Sequence, residues 1–468
     1  MEKKKTQIEE FERNIYDIYD SDSIDYQVKK GLTEDIVTEI SESKNDPEWM
    51  LGLRKNSLKI YNEMELPKWG PSLHELDMDN IVTYVRPKAS MTDDWRELPD
   101  DIRNTFERLG IPEAEWKSLS GVGAQYDSEV VYHSMREQLL EQGVIYTDME
   151  TALREYEDIV KEYFMKLLPA TEHKFMALHG AVWSGGSFVY VPEGVKVNMP
   201  LQSYFRLNAP GAGQFEHTLI ICEKNSSLHF IEGCSAPRHN TINLHAGGVE
   251  LYIKEGATLR YSTIENWSKN MLNLNTKRAL VEKDGKIEWV SGTFGSHITM
   301  LYPMSILKGE NAKSEFTGVS FASSNQYLDT GSKVVHAAPN TSSTISSKSI
   351  SKNGGNTTYR SSVTIMPQAK NSKCSVICES LMMDDLSRSD TIPVMDVHND
   401  KADIGHEAKI GRISEKSIYY LMTRGLSEEE AKALIVRGFV EPVTKELPLE
   451  YAVEMNRLIG LELEGSIG

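Results

Sequence analysis

The four cysteines of this 468-residue chain are Cys222, Cys234, Cys374 and Cys378. Cys374 and Cys378 are four positions apart in the stretch NSKCSVICESL, and Val376 lies between them. This spacing is not the CxxC of a zinc ribbon. The pair is therefore either part of a packed core or a reactive thiol held on a strand.

The elements that carry these thiols repeat along the chain. From about residue 178 to 412, strand-like runs rich in Val, Ile, Thr, Ser and Tyr are separated by small polar turns. One turn residue of each unit recurs every 26 to 31 positions, at Gly194, Asn225, Gly256, Gly285, Asn311, Asn340, Asn371 and Asn399. The fifth residue after each turn is apolar: Met199, Phe230, Tyr261, Val290, Phe316, Ile345, Val376 and Ile404.

The neighbouring column, one residue earlier in each unit, is polar except at Trp289. An apolar column beside a polar one predicts a parallel β-solenoid, in which each coil lies about 4.8 Å from the previous coil. A β-sandwich is the alternative architecture.

The same repeat makes a prediction for Cys378. This residue is seven positions past Asn371, and His406 is seven past Asn399, so we expect them to stack on adjacent coils about 5 Å apart. A thiolate and an imidazole at that separation can share a metal or a cluster iron, or form a Cys–His nucleophile pair. Glu407 adds an oxygen ligand, although strand alternation points it to the other face. Taken singly, each residue is more simply explained by packing.

A second stack is predicted nearer the start of the solenoid. Cys234 and Glu265 are each nine positions past their turns and should lie on neighbouring coils. Arg238 and His239 follow Cys234 closely, and basic neighbours favour a thiolate. The alternative is a buried, inert thiol, and Cys222 in the apolar run LIIC is most simply a core residue.

Composition limits the class of protein. The formal net charge of −18 argues against a nucleic-acid partner, and no apolar run approaches the roughly 20 residues of a membrane span. The start, MEKKKTQIEEFERN, has no apolar segment typical of a signal or transit peptide, so a cytoplasmic location is expected. Walker A, GxGxxG, GxSxG, HExxH and CxxC motifs are absent, so the chain should not hydrolyse ATP itself.

Helices are predicted on both sides of the solenoid. One is expected from Ile8 to Ile18, and another from Thr147 or Asp148 to Pro169. Near the end, a capping box at Ser427 with Glu430 starts a helix that Gly438 should stop, and LPLEYAVEMNRLIGLELEG follows as a second helix. These last helices either cap the solenoid or dock a partner. The predicted regions are 1–177, mainly helical, 178–412, the β-helix core, and 413–468, the C-terminal helical domain.

Six motifs resemble the SufB/SufD family of the SUF iron–sulfur cluster assembly machinery. They are YFRLN (204–208), ENW (265–267), NTKRAL (275–280), CESLM (378–382), GHEAKIGRISEK (405–416) and RGLSEEEAKALIVRGFVEP (424–442). The CESLM and HEA stretches are similar to SufB rather than to its sister subunit SufD. The resemblance implies a central right-handed parallel β-helix with a helical N-terminal region and a helical C-terminal domain.

The resemblance also implies roles for individual residues. Cys234 matches the sulfur-accepting cysteine, Cys378 the cysteine that holds the nascent cluster, and His406 and Glu407 the co-ligands. Positions matching a path between the two cysteines are Arg206, Asn208, Glu265, Trp267 and Lys277. Because the cysteines lie five coils apart, or roughly 24 Å, sulfur would need a relay or a tunnel.

Two positions depart from the family pattern. Gly405 replaces a glutamate of many relatives, so one candidate oxygen ligand is missing. Glu265 replaces a glutamine of some relatives, and its negative charge would disfavour a thiolate at Cys234 unless Arg206 or Lys277 offsets it.

The function implied is that of a scaffold rather than an enzyme. It would accept persulfide sulfur from a cysteine desulfurase system, build an iron–sulfur cluster and pass it on. Implied partners are a separate SufC ATPase on the C-terminal helices, and SufD or a second SufB-like subunit; a reduced flavin is left open as a cofactor. The alternatives are a SufD-like partner subunit without cluster ligation and a β-helix polysaccharide lyase or hydrolase, which needs convergent acids or Ca²⁺-binding carboxylates.

Overall fold

The computed structural model describes residues 17, 19, 23–445, 447 and 449–464. The helix predicted from Ile8 to Ile18 falls outside these residues. The region before the solenoid contains β1 (Ile24–Gln27), α1 (Glu34–Lys44), α2 (Glu48–Glu63), β2 (Val85–Pro87), α3 (Asp100–Arg108), α4 (Ile111–Ser118), β3 (Gly121–Tyr126), β4 (Glu129–Met135), α5 (Glu137–Glu141), β5 (Ile145–Asp148), α6 (Met149–Glu155), α7 (Glu157–Tyr163) and α8 (Lys174–Val182).

Parallel strands then form the solenoid. They are β6 (Gly186–Val191), β7 (Leu201–Arg206), β8 (Gly213–Gln214), β9 (His217–Cys222), β10 (Ser227–Ser235), β11 (Asn243–His245), β12 (Gly248–Ile253), β13 (Thr258–Asn266), β14 (Met271–Asn273), β15 (Thr276–Val281), β16 (Lys286–Phe294), β17 (Ile298–Leu301), β18 (Met304–Leu307), β19 (Lys313–Ala322), β20 (Tyr327–His336), β21 (Ser342–Ser351), β22 (Asn356–Ile365), β23 (Lys373–Met382), β24 (Arg388–Val397) and β25 (Asp403–Arg412). Three helices follow, α9 (Glu415–Met422), α10 (Glu428–Thr444) and α11 (Leu449–Glu464).

The strands stack into two long sheets that enclose one core. The first sheet has ten strands in the order β25-β23-β21-β19-β16-β13-β10-β7-β3-β4, so the solenoid has about eight coils. The second sheet contains β5, β6, β9, β12, β15, β18 and β20 and continues through β22 to β24. The predicted β-solenoid is confirmed, with helices before and after it, and the β-sandwich is excluded.

The coils change shape along the solenoid. Coils up to β18 carry a third, short strand at β8, β11, β14 and β17. The ten-residue strand β20 pairs with β17 over its first half and with β18 over its second half, so later coils have only two walls. The early coils, which hold Cys234, therefore have three walls around their interior.

Left-handed turn residues set the length of each coil. Positive φ angles occur at Gly194, Asn225, Gly256, Asn311, Asn340 and Asn371, as the repeat predicted, but at Asp284 instead of Gly285. These residues suit the left-handed region because glycine lacks a Cβ and the short polar chains of Asn and Asp tolerate it.

The predicted apolar column is correct for the central coils except one. It is wrong near both ends of the solenoid. The strand register aligns Leu201, Phe230, Tyr261, Trp289, Phe316, Ile345, Val376 and His406. Met199, Val290 and Ile404 are not in this column. The shift at Trp289 follows from the turn at Asp284, and the shift at His406 from a final turn two residues longer than Asn399 implied.

Flanking helices cover the outer faces of the sheets. Outward residues of the first sheet pack against α10 and α11 in one apolar cluster that includes Val290, Phe294, Val440 and Met455. The capping box of Ser427 and Glu430 is confirmed, but α10 continues past Gly438 to Thr444, so the predicted stop is wrong.

The helix predicted between Asp148 and Pro169 is two helices. Asp148 caps α6 as expected, and the chain breaks at Tyr156 before α7 ends at Tyr163. Throughout the described ranges, none of the helices combines the length and the apolarity needed to cross a bilayer.

Candidate functional site

Cys234 lies inside the solenoid on β10. It is 1% exposed and pairs in register with Glu265 of β13, so the predicted stack of these two residues is confirmed. On the other side its register partner is Phe205 of β7. Alternation along β10 places Cys234 on the same face as Glu232 and the core residue Phe230.

A buried ion pair adjoins the thiol. Glu232 Oε1 accepts a hydrogen bond from Lys277 Nζ at 2.5 Å and lies 3.9 Å from Cys234 Sγ. The second oxygen of Glu232 accepts from the hydroxyl of Tyr261, and Lys277 also donates to Thr263 Oγ1 at 3.0 Å. Both charged side chains are at most 1% exposed, so in this cluster each charge is compensated by its partner.

A second chain of polar contacts starts at Glu265. Asn273 Nδ2 donates to Glu265 Oε2 at 3.0 Å, and Asn273 Oδ1 lies 2.7 Å from His245 Nδ1. His245 Nε2 lies 2.5 Å from Glu216 Oε1. The acceptor at each end of the imidazole makes both ring nitrogens donors, which requires an imidazolium. Burial lowers the pKa of His245, but Glu216, Glu265 and Asn273 together outweigh it, so the pKa is raised above its ordinary value.

This environment keeps Cys234 protonated. Burial, followed by the negative charges of Glu232, Glu265 and Glu216, raises the pKa of the Cys234 thiol well above its ordinary value, and Lys277 offsets only part of this. The prediction that basic sequence neighbours favour a thiolate is therefore wrong.

The basic residues near Cys234 in the sequence do not face its thiol. The side chain of Arg238 is exposed, and His239 Nε2 lies 2.8 Å from the carbonyl oxygen of Asn208. Arg206 has the opposite strand parity from Cys234 and donates to Ser235 Oγ at 3.1 Å. Lys277 is thus the cation that faces the thiol.

The residues matched to a sulfur path all lie in the early coils. Trp267 packs against His245, with ring centroids 4.7 Å apart, and shares an apolar cluster with Cys234. Asn208 follows β7, and its backbone N–H donates a hydrogen bond to Asp127 Oδ1 at 2.7 Å. Glu265 and Lys277 contact the Cys234 cluster directly, whereas none of the five extends beyond β15 toward Cys378.

A column of small residues does extend that far. From Glu232 the register continues through Thr263, Ser291, Gly318 and Ser347 to Cys378. All six positions have inward parity. The two cysteines lie five strand steps apart, as predicted, or about 24 Å at the usual spacing of parallel strands.

The predicted stack of Cys378 on His406 is wrong. Cys378 pairs with Ala408, and His406 pairs with Val376, because the last coil is 30 residues long at this point. His406 shares the inward face with Cys378 but is one strand over and two residues back, or roughly 8 Å between backbones. Glu407 has outward parity, as expected, and forms a 3.0 Å ion pair with Lys409.

Cys378 is buried while its neighbours on β25 are exposed. It is 1% exposed, and burial raises the pKa of its thiol to about 11. Tyr359, on the facing sheet, is near enough that Cys378, after burial, contributes to raising the pKa of its phenol. Cys374 packs in the same core, and Cys222 is a fully buried core residue as predicted.

Several residues of the site were missed from the sequence. Glu232 was detectable, because a glutamate two positions before Cys234 must face the same core. His245 and Asn273 come from the third wall, whose short strands leave no clear periodic pattern, and Glu216 lies in the connection between β8 and β9. Within the described part of the chain, no group of three or more His, Cys, Asp or Glu side chains is arranged to hold a metal ion.

Fold and site together define a β-solenoid protein with a thiol in a buried charged cluster and a second thiol near its last coil. Residues 205–439 match the family model described as "SUF system FeS cluster assembly, SufBD core domain", and residues 96–203 match "SufBD protein N-terminal region". The chain belongs to the SufBD family.

Relatives support this membership over nearly the whole chain. An iron–sulfur cluster assembly SufBD family protein of Staphylococcus epidermidis (strain ATCC 12228 / FDA PCI 1200) is 52% identical over 453 residues, covering 97% of each chain. A protein of the same description from Staphylococcus aureus (strain MRSA252) is also 52% identical, again covering 97% of each chain. The chain is thus a component of iron–sulfur cluster assembly.

Proposed function

We propose that this protein is the SufB-type scaffold on which an iron–sulfur cluster is built. Cys234 accepts sulfur as a persulfide from a cysteine desulfurase or sulfur-transfer protein. Cys378, with His406 and Glu407, holds the nascent cluster before it passes to carriers. The chain itself is not an enzyme, and a separate SufC ATPase supplies ATP hydrolysis. A cytoplasmic location stays a prediction, and a reduced flavin as a cofactor is left open.

The observation that carries the proposal is the inward column from Glu232 to Cys378. It begins beside the thiol of Cys234 and ends at the second thiol, and its intermediate members are Thr263, Ser291, Gly318 and Ser347. Direct transfer over about 24 Å is impossible for a covalently held sulfur. We take this file of small side chains as the direction of a relay rather than of an open channel, because the ring of Phe316 lies over Gly318. Arg206, Asn208, Glu265, Trp267 and Lys277 would serve its Cys234 end.

The residues proposed to hold the cluster lie near the last coil, where another subunit could complete the site. Cys378 lies one strand inside the open end of the solenoid, and β25 exposes His406 and Glu407. Iron in clusters prefers thiolate and also accepts imidazole, so Cys378 and His406 suit the cargo. Glu407 faces outward and reaches the cluster only if the last strand shifts or a partner brings the iron to that face.

The last coil supports pairing with SufD or a second SufB-like subunit. β24 and β25 end their sheets and leave one edge without a neighbouring strand in the described chain. On these two strands Ile392, Val394, Val397 and Ile410 are 38%, 51%, 46% and 47% exposed. Exposed apolar edge strands are usually protected by pairing.

The C-terminal helices support docking of the ATPase. The inner faces of α10 and α11 pack on the solenoid. Exposed apolar and aromatic side chains are Tyr419, Tyr420 and Met422 of α9 and Leu434 of α10, which are 70%, 57%, 42% and 51% exposed. Clustered exposed aromatic and apolar side chains mark interaction surfaces.

Anaerobic reconstitution tests the cluster site. The complex with its partner subunits is incubated with iron and sulfide as wild type, Cys378→Ala and the matched control Cys374→Ala, a second buried thiol on the same strand face. We expect visible absorption and Mössbauer signals of a cluster in wild type and Cys374→Ala and their loss in Cys378→Ala. An equal cluster in all three would place the ligands elsewhere and favour the SufD-like alternative for this chain.

A further inference from the structure

The contacts of Cys234 raise a chemical question that the proposed sulfur acceptor must answer. The thiolate, not the thiol, attacks a persulfide. Yet Cys234 lies in a buried cluster of ionisable side chains that come from several strands. They are Glu232 on its own strand, Glu265 and Tyr261 on β13, Lys277 on β15, His245 on β11 and Glu216 before β9. The proton must leave the Cys234 thiol before sulfur can bond to Sγ.

We propose that Glu232 is a catalytic residue, the base that takes the proton of Cys234 when sulfur arrives. The inference rests on the proposed role of Cys234 as the sulfur acceptor. Glu232 Oε1 is the acceptor that the Cys234 thiol faces, at 3.9 Å. Within the described residues Cys234 Sγ forms no hydrogen bond to the other nearby carboxylates. Glu265 accepts from Asn273 through Oε2 and Glu216 contacts His245 through Oε1, while the second oxygen of each is buried without a described hydrogen-bond partner.

Charge balance explains why this transfer is feasible inside a core. At rest the carboxylate of Glu232 is paired with the ammonium of Lys277, 2.5 Å away. When the proton moves, the negative charge passes from Glu232 to Sγ, and Lys277 remains close to both groups, because the positive side chain also interacts with Cys234. No net charge is created in the low-dielectric interior, which avoids the large cost of an unpaired buried ion.

Tyr261 and Thr263 hold the pair in position. The hydroxyl of Tyr261 donates to the far oxygen of Glu232, leaving Oε1 directed at Cys234 and Lys277. Thr263 Oγ1 accepts a second bond from Lys277 Nζ at 3.0 Å. Both residues belong to β13, the strand that also carries Glu265.

The sulfur-transfer step is balanced without an added oxidant. The Sγ electron pair forms a bond to the terminal sulfur of a donor persulfide. The sulfur–sulfur bond of the donor breaks, and its electron pair leaves on the donor thiolate. The proton of Cys234 rests on Glu232, from which it can pass to the departing thiolate. The transferred sulfur keeps its oxidation state.

Sulfur uptake by Glu232→Gln across a range of pH tests the assignment. The full chain is treated with cysteine persulfide, and the gain of one sulfur atom on the Cys234 peptide is followed by mass spectrometry. We expect uptake near pH 7 to fall about a hundredfold, the low end for loss of a general base, and to recover as hydroxide replaces the base at higher pH. Glu232→Asp should recover part of the rate.

Glu288→Gln is the matched control, because it removes an ion-paired carboxylate of a neighbouring strand, β16, that contacts Arg260 and Lys286 and lies outside the Cys234 cluster. Its uptake should stay within a few-fold of wild type. Equal uptake by Glu232→Gln and wild type at every pH, or equal loss in both variants, would overturn the assignment of Glu232.

Two further outcomes separate the inference from the proposed function. If Glu232→Gln does not fold because Lys277 is left unpaired, Glu232→Gln with Lys277→Met removes both charges and should show the same loss. Normal uptake by that double variant would overturn the inference. If wild type gains no sulfur on Cys234, the proposed acceptor role fails, and the role of Glu232 fails with it.

Discussion

At the scale of single residues, the two thiols on which the proposed chemistry depends are both buried and protonated at rest. Cys234 is surrounded by carboxylates, whereas Cys378 is surrounded by apolar side chains and Tyr359. The first thiol can lose its proton to a neighbour. For the second we see no such base among its described contacts, so ligation of a metal, which releases the thiol proton, is the event that would make it a thiolate.

The pH dependence of Cys378 labelling follows from its burial. Since burial disfavours the charged thiolate, the pKa rises to about 11, and at pH 8 the thiolate fraction should be about a hundredfold lower than for a thiol of ordinary pKa. We expect the rate of carbamidomethylation at Cys378, measured by mass spectrometry, to keep rising until the pH is near 11. Protein unfolded in urea is the control, and a native rate that levels off near pH 9 would contradict the predicted shift.

At the scale of elements, the turns decide how far the sequence could predict the register. At Asn225, Gly256, Asn311, Asn340 and Asn371 the predicted turn is correct and the apolar position five residues later is in the column. The turn at Gly194 is also correct, but there the column contains Leu201 instead of Met199. The turn at Asp284 lies one residue before the predicted one, so Trp289 is in the column instead of Val290. At the last coil the predicted turn lies two residues too early, and the predicted stack of Cys378 on His406 is wrong for that reason.

The site was predictable where it follows strand alternation and unpredictable where it depends on the third wall. Cys234 and Glu265 were paired from the repeat alone because both lie on regular nine-residue strands. His245 and Asn273 reach the same cluster from strands of three residues. Such short segments carry too few positions for a periodic signal, so their contacts appear only in the folded coil.

Substitutions at Asn340 test the importance of the left-handed turns. Its φ of 59° is unfavourable for alanine, and the Asn340 side chain also contacts Glu310 and Asn371. Asn340→Ala and Asn340→Gly both lose these hydrogen bonds, but only glycine adopts the angle freely. We expect the free energy of unfolding of the alanine variant to be lower than that of the glycine variant by about 1 kcal/mol, measured by urea titration. Equal stabilities would show that the turn conformation is not the constraint.

At the scale of the whole molecule, the solenoid is closed at one end and open at the other. The antiparallel strands β4 and β5 end the two sheets at the start of the solenoid. At the far end, Val397 continues the column of the core residue Ile365 and Ile410 lies on the core face of β25, yet both are nearly half exposed. Repeat proteins require a polar cap on their terminal coils, so an apolar end that the described residues leave uncovered supports the proposed pairing with a second chain.

The open end therefore predicts a subunit interface that one charge should disrupt. Val397→Asp places a carboxylate in the exposed core section, where a partner would have to bury it unpaired, so we expect association with the partner subunit to weaken by about tenfold or more. Sedimentation velocity of the chain, alone and co-expressed with its sister subunit, measures this. Leu140→Asp is the control, since Leu140 on α5 is 57% exposed and lies outside the last coil. Unchanged association of Val397→Asp would mean that the partner binds elsewhere and that Cys378 is not at the interface.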